Sequence, residues 1–179
     1  MVSVFNEENH IFDGFMDTAT KLFASEIPMY YTRGNHETRG AFATEFQRYF
    51  SAKEENIYYT FRQGPICFVI LDTGEDKPDS DIEYAGITVY DEYRTEQAEW
   101  LRRVLDSKEY KDAPFKIIVA ISHRSADGME TWKWSRNSCL CYAMPSRTLC
   151  CVVTSTVSSI RMQRIVHRSR LSSIPIQLF

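Results

Sequence analysis

Two short polar segments contain side chains suited to metal-assisted hydrolysis, and the first is Gly34-Asn35-His36-Glu37. The amide oxygen of Asn35 can bind a divalent ion, and His36 can donate a proton or a hydrogen bond to a phosphate. Glu37 could hold the imidazole of His36 in one orientation. The same four residues could also form an ordinary polar turn, so their context decides between the two interpretations.

The second segment is Ser122-His123, which follows the apolar run at residues 115–121. A histidine at the carboxyl end of a buried strand is well placed for a site in an open α/β sheet. It could also simply bond to the backbone at the strand end. His10 and His167 have no comparable context, and we interpret both as surface residues.

Other polar clusters give weaker signals. The acidic stretch at residues 76–81 could bind calcium, but it lacks the ligand spacing of a calcium loop and is better explained as a solvated loop. Cys139-x-Cys141 and Cys150-Cys151 lack the two-residue gap of the usual zinc pairs. Chance is the better explanation for both cysteine pairs.

Hydrophobic patterns predict the elements that must position the two segments. Apolar residues at helical spacing predict helices over residues 9–25 and 41–50, and a third that Thr95 caps. Strands are predicted at residues 29–32, 57–61, 66–71 and 115–121, the last covered on both faces. Residues 72–92 are expected to form a long acidic loop. Helices that alternate with buried strands indicate a layered α/β domain.

The composition changes abruptly near residue 130. The first 130 residues hold 14 basic and all 24 acidic residues, a net charge of −10, together with all 7 glycines. The remaining 49 residues hold seven basic residues, no acidic residue and four of the five cysteines. Globular domains normally mix both signs of charge, so the two parts of the chain look like unrelated sequences.

The order of these features resembles the calcineurin-like metallophosphoesterases, with the purple acid phosphatase-like members closest. Their signature comprises Asp-x-His, Gly-Asp, Gly-Asn-His-Asp/Glu, a strand-end histidine and Gly-His-x-His. Only the third and fourth motifs are present, at residues 34–37 and at His123. The resemblance covers residues 1–123 and implies a partial layered β-sandwich flanked by helices.

The resemblance also implies an activity and a site. It implies hydrolysis of phosphate esters at two divalent metal ions such as iron, zinc or manganese. Asn35 and His123 would be metal ligands, His36 would be catalytic, and Glu37 would support His36. The net charge of −3 argues against a nucleic-acid partner, and no apolar run reaches the length of a membrane span. The sequence has no signal peptide, although the parent protein could be exported, and it leaves the oligomeric state open.

The missing motifs suggest that the chain is truncated and shifted in reading frame. We expect the Gly-Asp motif to be encoded just upstream of Met1. In a frame that joins the last base of each codon to the first two of the next, residues 149–157 permit Val-Leu-Cys-Gly-His-Leu-His-Arg, which contains the family's last motif. A slip between His123 and Asp127 would explain the lost acids, glycines and ligands together.

The sequence therefore predicts two regions of the chain and leaves three interpretations of its function. Residues 1–123 are expected to form a partial metallophosphoesterase domain, and residues 124–179 an out-of-frame tail without a defined fold. The chain would then be an incomplete, inactive hydrolase. The alternatives are a non-catalytic relic that binds phosphate or a protein, and a non-functional translation product.

Overall fold

The described part of the chain is an α/β domain with one mixed sheet. The computed structural model describes residues 4–50, 56–75, 79–82, 86 and 88–122, and the strand backbones at 148–154, 160–164 and 173–175. Side chains are described up to residue 120. The α/β class predicted from the sequence is confirmed, in the form of a partial metallophosphoesterase fold with a single sheet among the described residues.

The first helical segment, α1, runs from Asn9 to Ala24. α-Helical turns at Asn9–Ile11 and Asp17–Ala19 alternate with π-helical turns at Phe12–Met16 and Thr20–Ala24. The predicted helix at residues 9–25 is therefore confirmed in extent. Its inward-facing side includes Ile11 and Ala19, which are both buried.

The predicted helix at residues 41–50 is replaced by two shorter turns. A 3₁₀ turn at Ala43–Glu45 is followed by helix α2 at Gln47–Phe50. Phe46, between them, is buried and packs on the rings of Tyr31 and Phe50. Aromatic packing rather than a long hydrogen-bonded helix therefore holds this segment.

Six strands form the sheet in the order of the chain: β1 (Tyr59–Gln63), β2 (Ile66–Leu71), β3 (Phe115–Ser122), β4 (Thr148–Thr154), β5 (Ile160–Arg164) and β6 (Ser173–Pro175). β2, β3 and β4 are parallel neighbours, and the other pairs are antiparallel. The predictions at residues 66–71 and 115–121 are confirmed, and the strand predicted at 57–61 begins two residues later.

One face of the sheet carries the hydrophobic core. Helices α3 (Tyr90–Asp106) and α4 (Lys108–Asp112) cover this face. The buried cluster consists of Tyr58, Cys67, Val69, Leu71, Trp100, Leu101, Val104, Tyr110, Ala113, Ile118 and Ala120. Alternate side chains of a strand point to the same face, so Cys67, Val69 and Leu71 lie on one face of β2. This face packs against α3.

The opposite face is less completely covered, which corrects the prediction that β3 is buried on both sides. Ile118 and Ala120 are buried, but Ile117 and Val119 are only half-buried. On this face the rings of Tyr30, Phe61 and Phe68 stack in sequence, with centroid separations of 3.8 and 4.8 Å.

The strand predicted at residues 29–32 is wrong for the described structure. This segment forms no ladder and is attached to the sheet by side chains instead. The Tyr59 hydroxyl donates to the Tyr31 carbonyl at 2.8 Å, and the Thr32 hydroxyl donates to the Leu71 carbonyl at 3.1 Å. Apolar and aromatic composition alone could not distinguish this arrangement from a strand.

Thr95 does not cap α3, which begins five residues earlier at Tyr90. The Thr95 hydroxyl donates to the Asp91 carbonyl inside the helix. The cap comes from Asp79, whose carboxylate accepts from the backbone N–H groups of Tyr90 and Asp91, both at 2.9 Å. One residue of the predicted solvated loop therefore stabilises the helix start.

The Asp79 cap should make stability depend on pH. Partial burial raises the pKa of Asp79, but the hydrogen bonds from Asp91 and Tyr90 outweigh burial and lower it. A lowered folded-state pKa contributes stability above the unfolded value of about 3.9, and this is lost as the pH falls through the folded value. We expect Asp79→Ala to cost about 0.5–2 kcal/mol at pH 7 and less at pH 3, measured by urea unfolding. An equal cost at both pH values would contradict a charged cap.

The backbones of β4, β5 and β6 lie in the region predicted to lack a defined fold. They extend the sheet beyond β3, with β4 parallel to β3 and the last two strands antiparallel. Most of residues 124–179 lies outside the described residues, so the predicted division at residue 123 stays a prediction. Within the described residues, no helix combines the length and hydropathy of a membrane span.

Candidate functional site

The Gly-Asn-His-Glu segment forms a 3₁₀ turn, Asn35–Thr38, at the carboxyl end of β2. Asn35 and Glu37 are buried, with 7% and 6% of their surface exposed, and His36 is half-buried. The Glu37 carboxylate accepts the N–H of Gly34 at 3.0 Å. Glu37 therefore closes the turn on itself, and its predicted support of His36 stays a prediction.

Asp72, the first residue after β2, is the polar centre of the site and is fully buried. Its Oδ2 accepts from Arg33 Nη2 at 2.5 Å and from the Tyr93 hydroxyl at 2.7 Å. Its Oδ1 accepts from the N–H of Gly74 at 3.1 Å. The Gln97 side chain bonds both the N–H and the carbonyl of Asp72, at 2.9 and 2.6 Å. A buried carboxylate with this many partners is held rigidly.

The electrostatics of this centre favour an ion pair. Burial by itself would lower the pKa of Arg33, but the Asp72 carboxylate outweighs burial and raises it. Burial and the neighbouring Asp72 carboxylate raise the pKa of the Tyr93 phenol. Arg33 therefore stays charged and Tyr93 stays a hydrogen-bond donor at neutral pH, and both donate to the Asp72 side chain.

A second set of hydrogen bonds joins the carboxyl end of the turn to the loop after β2. The Glu75 carboxylate, 5% exposed as a residue, accepts two bonds from Arg39 at 2.7 and 2.8 Å. It also accepts from the Thr38 hydroxyl at 2.7 Å. Arg94 of α3 donates to the carbonyls of Thr73 and Glu75. Residues 72–75 are thus fixed both to the turn and to α3.

The sheet register brings the carboxyl ends of β2 and β3 to the same edge of the sheet. Leu71 at the end of β2 pairs with Ala120 of β3, so Asp72 follows β2 close to where β3 ends at Ser122. Carboxyl ends of adjacent parallel strands form the usual site of an open α/β sheet. His123 itself lies outside the described residues, and its predicted role as a ligand stays a prediction.

The described residues do not fit a pair of metal ions. Among them there is no group of three or more histidine, cysteine, aspartate or glutamate side chains that could hold a metal. The nearby carboxylates of Glu37, Asp72 and Glu75 are already engaged by backbone, arginine or hydroxyl donors. Asn35 differs, because its only described hydrogen bond is made by its backbone carbonyl. The turn offers a neutral donor but no bridging carboxylate.

Gly74 should be required at this edge, and Gly64 in the β1–β2 hairpin provides a matched control. Both have left-handed backbone, with φ of 65° and 57°. A Cβ at Gly74 would lie 2.5 Å from the Tyr90 ring, whereas at Gly64 nothing lies within 4 Å. We expect Gly64→Ala to cost about 1–2 kcal/mol and Gly74→Ala to cost about 1–3 kcal/mol more, measured by urea unfolding. Equal costs would show that Tyr90 moves aside freely.

A family match defines the class of the protein. The match is to the calcineurin-like phosphoesterases and spans residues 7–150, most of the chain. The class is that of phosphate-ester hydrolases, which generally use two divalent metal ions. The chain belongs to the calcineurin-like phosphoesterase family. No curated protein and no solved structure matches it significantly.

Sequence reasoning found the turn but missed the residues that hold it. The residue types of Asp72 and Gln97 were visible, as a polar residue ending a strand and a glutamine on an apolar helix face. Gln97 is only 2% exposed, a burial unusual for a helix glutamine unless its amide is bonded. A glutamine among inward-facing helix positions was the available signal.

Proposed function

We propose that this chain derives from a metal-dependent, purple acid phosphatase-like phosphoesterase and retains only part of its site, so that it does not turn over phosphate esters. Asn35 and His36 form the retained part, and His123 is a third member. The observation that carries this proposal is the turn at Asn35–Thr38, fixed to the carboxyl end of β2 within a chain of the phosphoesterase family.

The roles proposed for these residues follow their chemistry. Asn35 contributes a neutral oxygen ligand, and His36 binds phosphate or donates a proton to the leaving group. His123 contributes an imidazole from the end of β3. Glu37 fixes the turn from which His36 projects. In the part of the chain that the structure describes, no three potential ligand side chains are grouped so that they could hold a metal ion.

We propose that a shift of reading frame is the cause of the incomplete site. Thr154 at the end of β4 pairs with Ser122, directly before His123. In the shifted frame, the codons of residues 152–156 permit Gly-His-Leu-His. The family's missing histidines would then follow β4, beside the position where His123 follows β3. We propose residues 1–123 as the partial catalytic domain and residues 124–179 as the out-of-frame tail.

The coding DNA tests the frame directly. We expect a Gly-His-Leu-His codon series in the shifted frame at residues 152–156, and a Gly-Asp codon pair upstream of the Met1 codon. Restoring the frame, with the upstream codons included, should give p-nitrophenyl phosphate hydrolysis that requires added divalent metal. His36→Ala should reduce that hydrolysis about 10²–10⁴-fold. Absence of the shifted codons would refute the frame proposal.

A phosphate-binding relic is a second candidate, favoured by an unsatisfied buried donor beside the turn. Arg33 Nε is buried without a hydrogen-bond partner among the described residues. A buried donor of this kind is normally bonded, so a bound anion would satisfy it. The chain as it stands should then show inorganic phosphate binding by calorimetry without turnover. Neither binding nor turnover would favour a non-functional translation product.

A further inference from the structure

We propose that residues 72–75 are a positioning clamp that holds Asn35 and His36 from both sides, an inference that rests on the proposed function of this turn. Asp72 grips Arg33 immediately before the turn, with a 2.5 Å contact. Glu75 accepts hydrogen bonds from Thr38 and Arg39, which lie two and three residues after His36. Asp72 and Glu75 touch neither substrate nor metal in this scheme and act only through the turn.

The clamp is itself rigid, which is what positioning requires. Gln97 bonds both backbone groups of Asp72, and Tyr93 bonds its carboxylate. Arg94 bonds the carbonyls of Thr73 and Glu75. All three side chains belong to α3, which packs on the core face of the sheet. The position of the turn is therefore set by α3 through four loop residues, because the turn has no strand of its own to fix it.

The charges of the two ion pairs are complementary, and all of them except that of Arg39 are largely shielded from water. The Asp72 and Glu75 side chains are 1% and 2% exposed, and Arg33 is 9% exposed. The bond from Arg39 to Glu75 uses both carboxylate oxygens, a geometry that fixes direction as well as distance. Two such anchors on either side of a dipeptide restrict both its translation and its rotation.

Hydrogen exchange of the full-length chain tests the clamp. The Gly34 N–H bonds Glu37, and the Arg39 N–H bonds the His36 carbonyl, so both report opening of the turn. We expect Glu75→Gln and Asp72→Asn to speed exchange at Gly34 about tenfold or more relative to Val69 in β2. Val104→Ala, which opens a cavity in the core away from the clamp, should leave that ratio unchanged.

A milder pair of variants protects this test against misfolding. Arg39 is 32% exposed, so replacing it should leave the core intact. Arg39→Ala should raise the Gly34 exchange ratio, and Arg39→Lys, which keeps the charge, should restore part of the protection. If every clamp variant showed the same ratio of Gly34 to Val69 exchange as Val104→Ala, the proposal would be overturned.

Phosphate titration separates the clamp from the function on which it rests. The chemical shifts of the His36 imidazole are followed at fixed pH as inorganic phosphate is added to wild type, Glu75→Gln and Val104→Ala. We expect about tenfold weaker affinity in Glu75→Gln and unchanged affinity in Val104→Ala. Unchanged affinity in Glu75→Gln would overturn positioning. No response in wild type would overturn the phosphate-binding function alone, and the exchange ratios would still decide the clamp.

Discussion

Asp72→Ala is expected to lower the free energy of unfolding by about 3–5 kcal/mol. The substitution leaves the guanidinium of Arg33 buried without its counter-charge, and it removes the acceptor of the Tyr93 hydroxyl. Domains of this size have a total stability of only about 5–15 kcal/mol, so such a loss would unfold a substantial part of the population. Urea unfolding followed by far-UV circular dichroism measures the change.

The surface pair Asp106–Lys111 provides the control for Asp72→Ala. Both side chains are largely exposed, at 84% and 59%, and they approach to 3.1 Å. Asp106→Ala should therefore cost less than about 1 kcal/mol, because solvent screens an exposed pair. Asp72→Asn, which keeps the shape of the side chain, should fall between the two alanine variants. A cost for Asp72→Ala as small as that for Asp106→Ala would mean that Arg33 reaches water.

Leu101→Ala is expected to cost about 2–5 kcal/mol. Leu101 is 1% exposed and lies in the core cluster between α3 and the sheet. Removing its side chain leaves a cavity in the close-packed core. The hydrogen-bonded strands β2 and β3 can relax only partly into this cavity, so most of the cost remains. The measurement is again urea unfolding, with the slope of the transition compared with wild type.

Arg102 is the matched control because it adjoins Leu101 on the exposed side of α3. Arg102→Ala should change stability by less than about 0.5 kcal/mol, since it touches none of the features that make substitutions costly. If Leu101→Ala also cost less than about 1 kcal/mol, the buried cluster between α3 and the sheet would not form a cooperative core.

The change in composition near residue 130 could be recognised from the sequence alone. The break near residue 130 was visible without any structure, because acids and glycines stop together. Its proposed cause depends on codons, which neither the sequence nor the fold contains.

The local features of the protein follow from its amino-acid sequence alone. Alternating and continuous apolar runs identified β2 and β3, helical spacing identified α1 and α3, and Gly34-Asn35-His36-Glu37 identified the family and the candidate turn. Such features depend on residues close together in the chain, and their period is fixed by backbone geometry. This is why a single sequence was enough to find them.

How the turn at Asn35–Thr38 is held depends on contacts between residues far apart in the chain. Arg33 and Asp72 are 39 residues apart, and Thr38 and Glu75 are 37 apart, so no local pattern could predict their pairing. The segment at residues 29–32 was mistaken for a strand for the same reason, because ladder hydrogen bonds depend on a distant partner. Asp79 likewise caps a helix that begins 11 residues later. Long-range contacts set the position of Asn35 and His36, whereas the sequence set their chemistry.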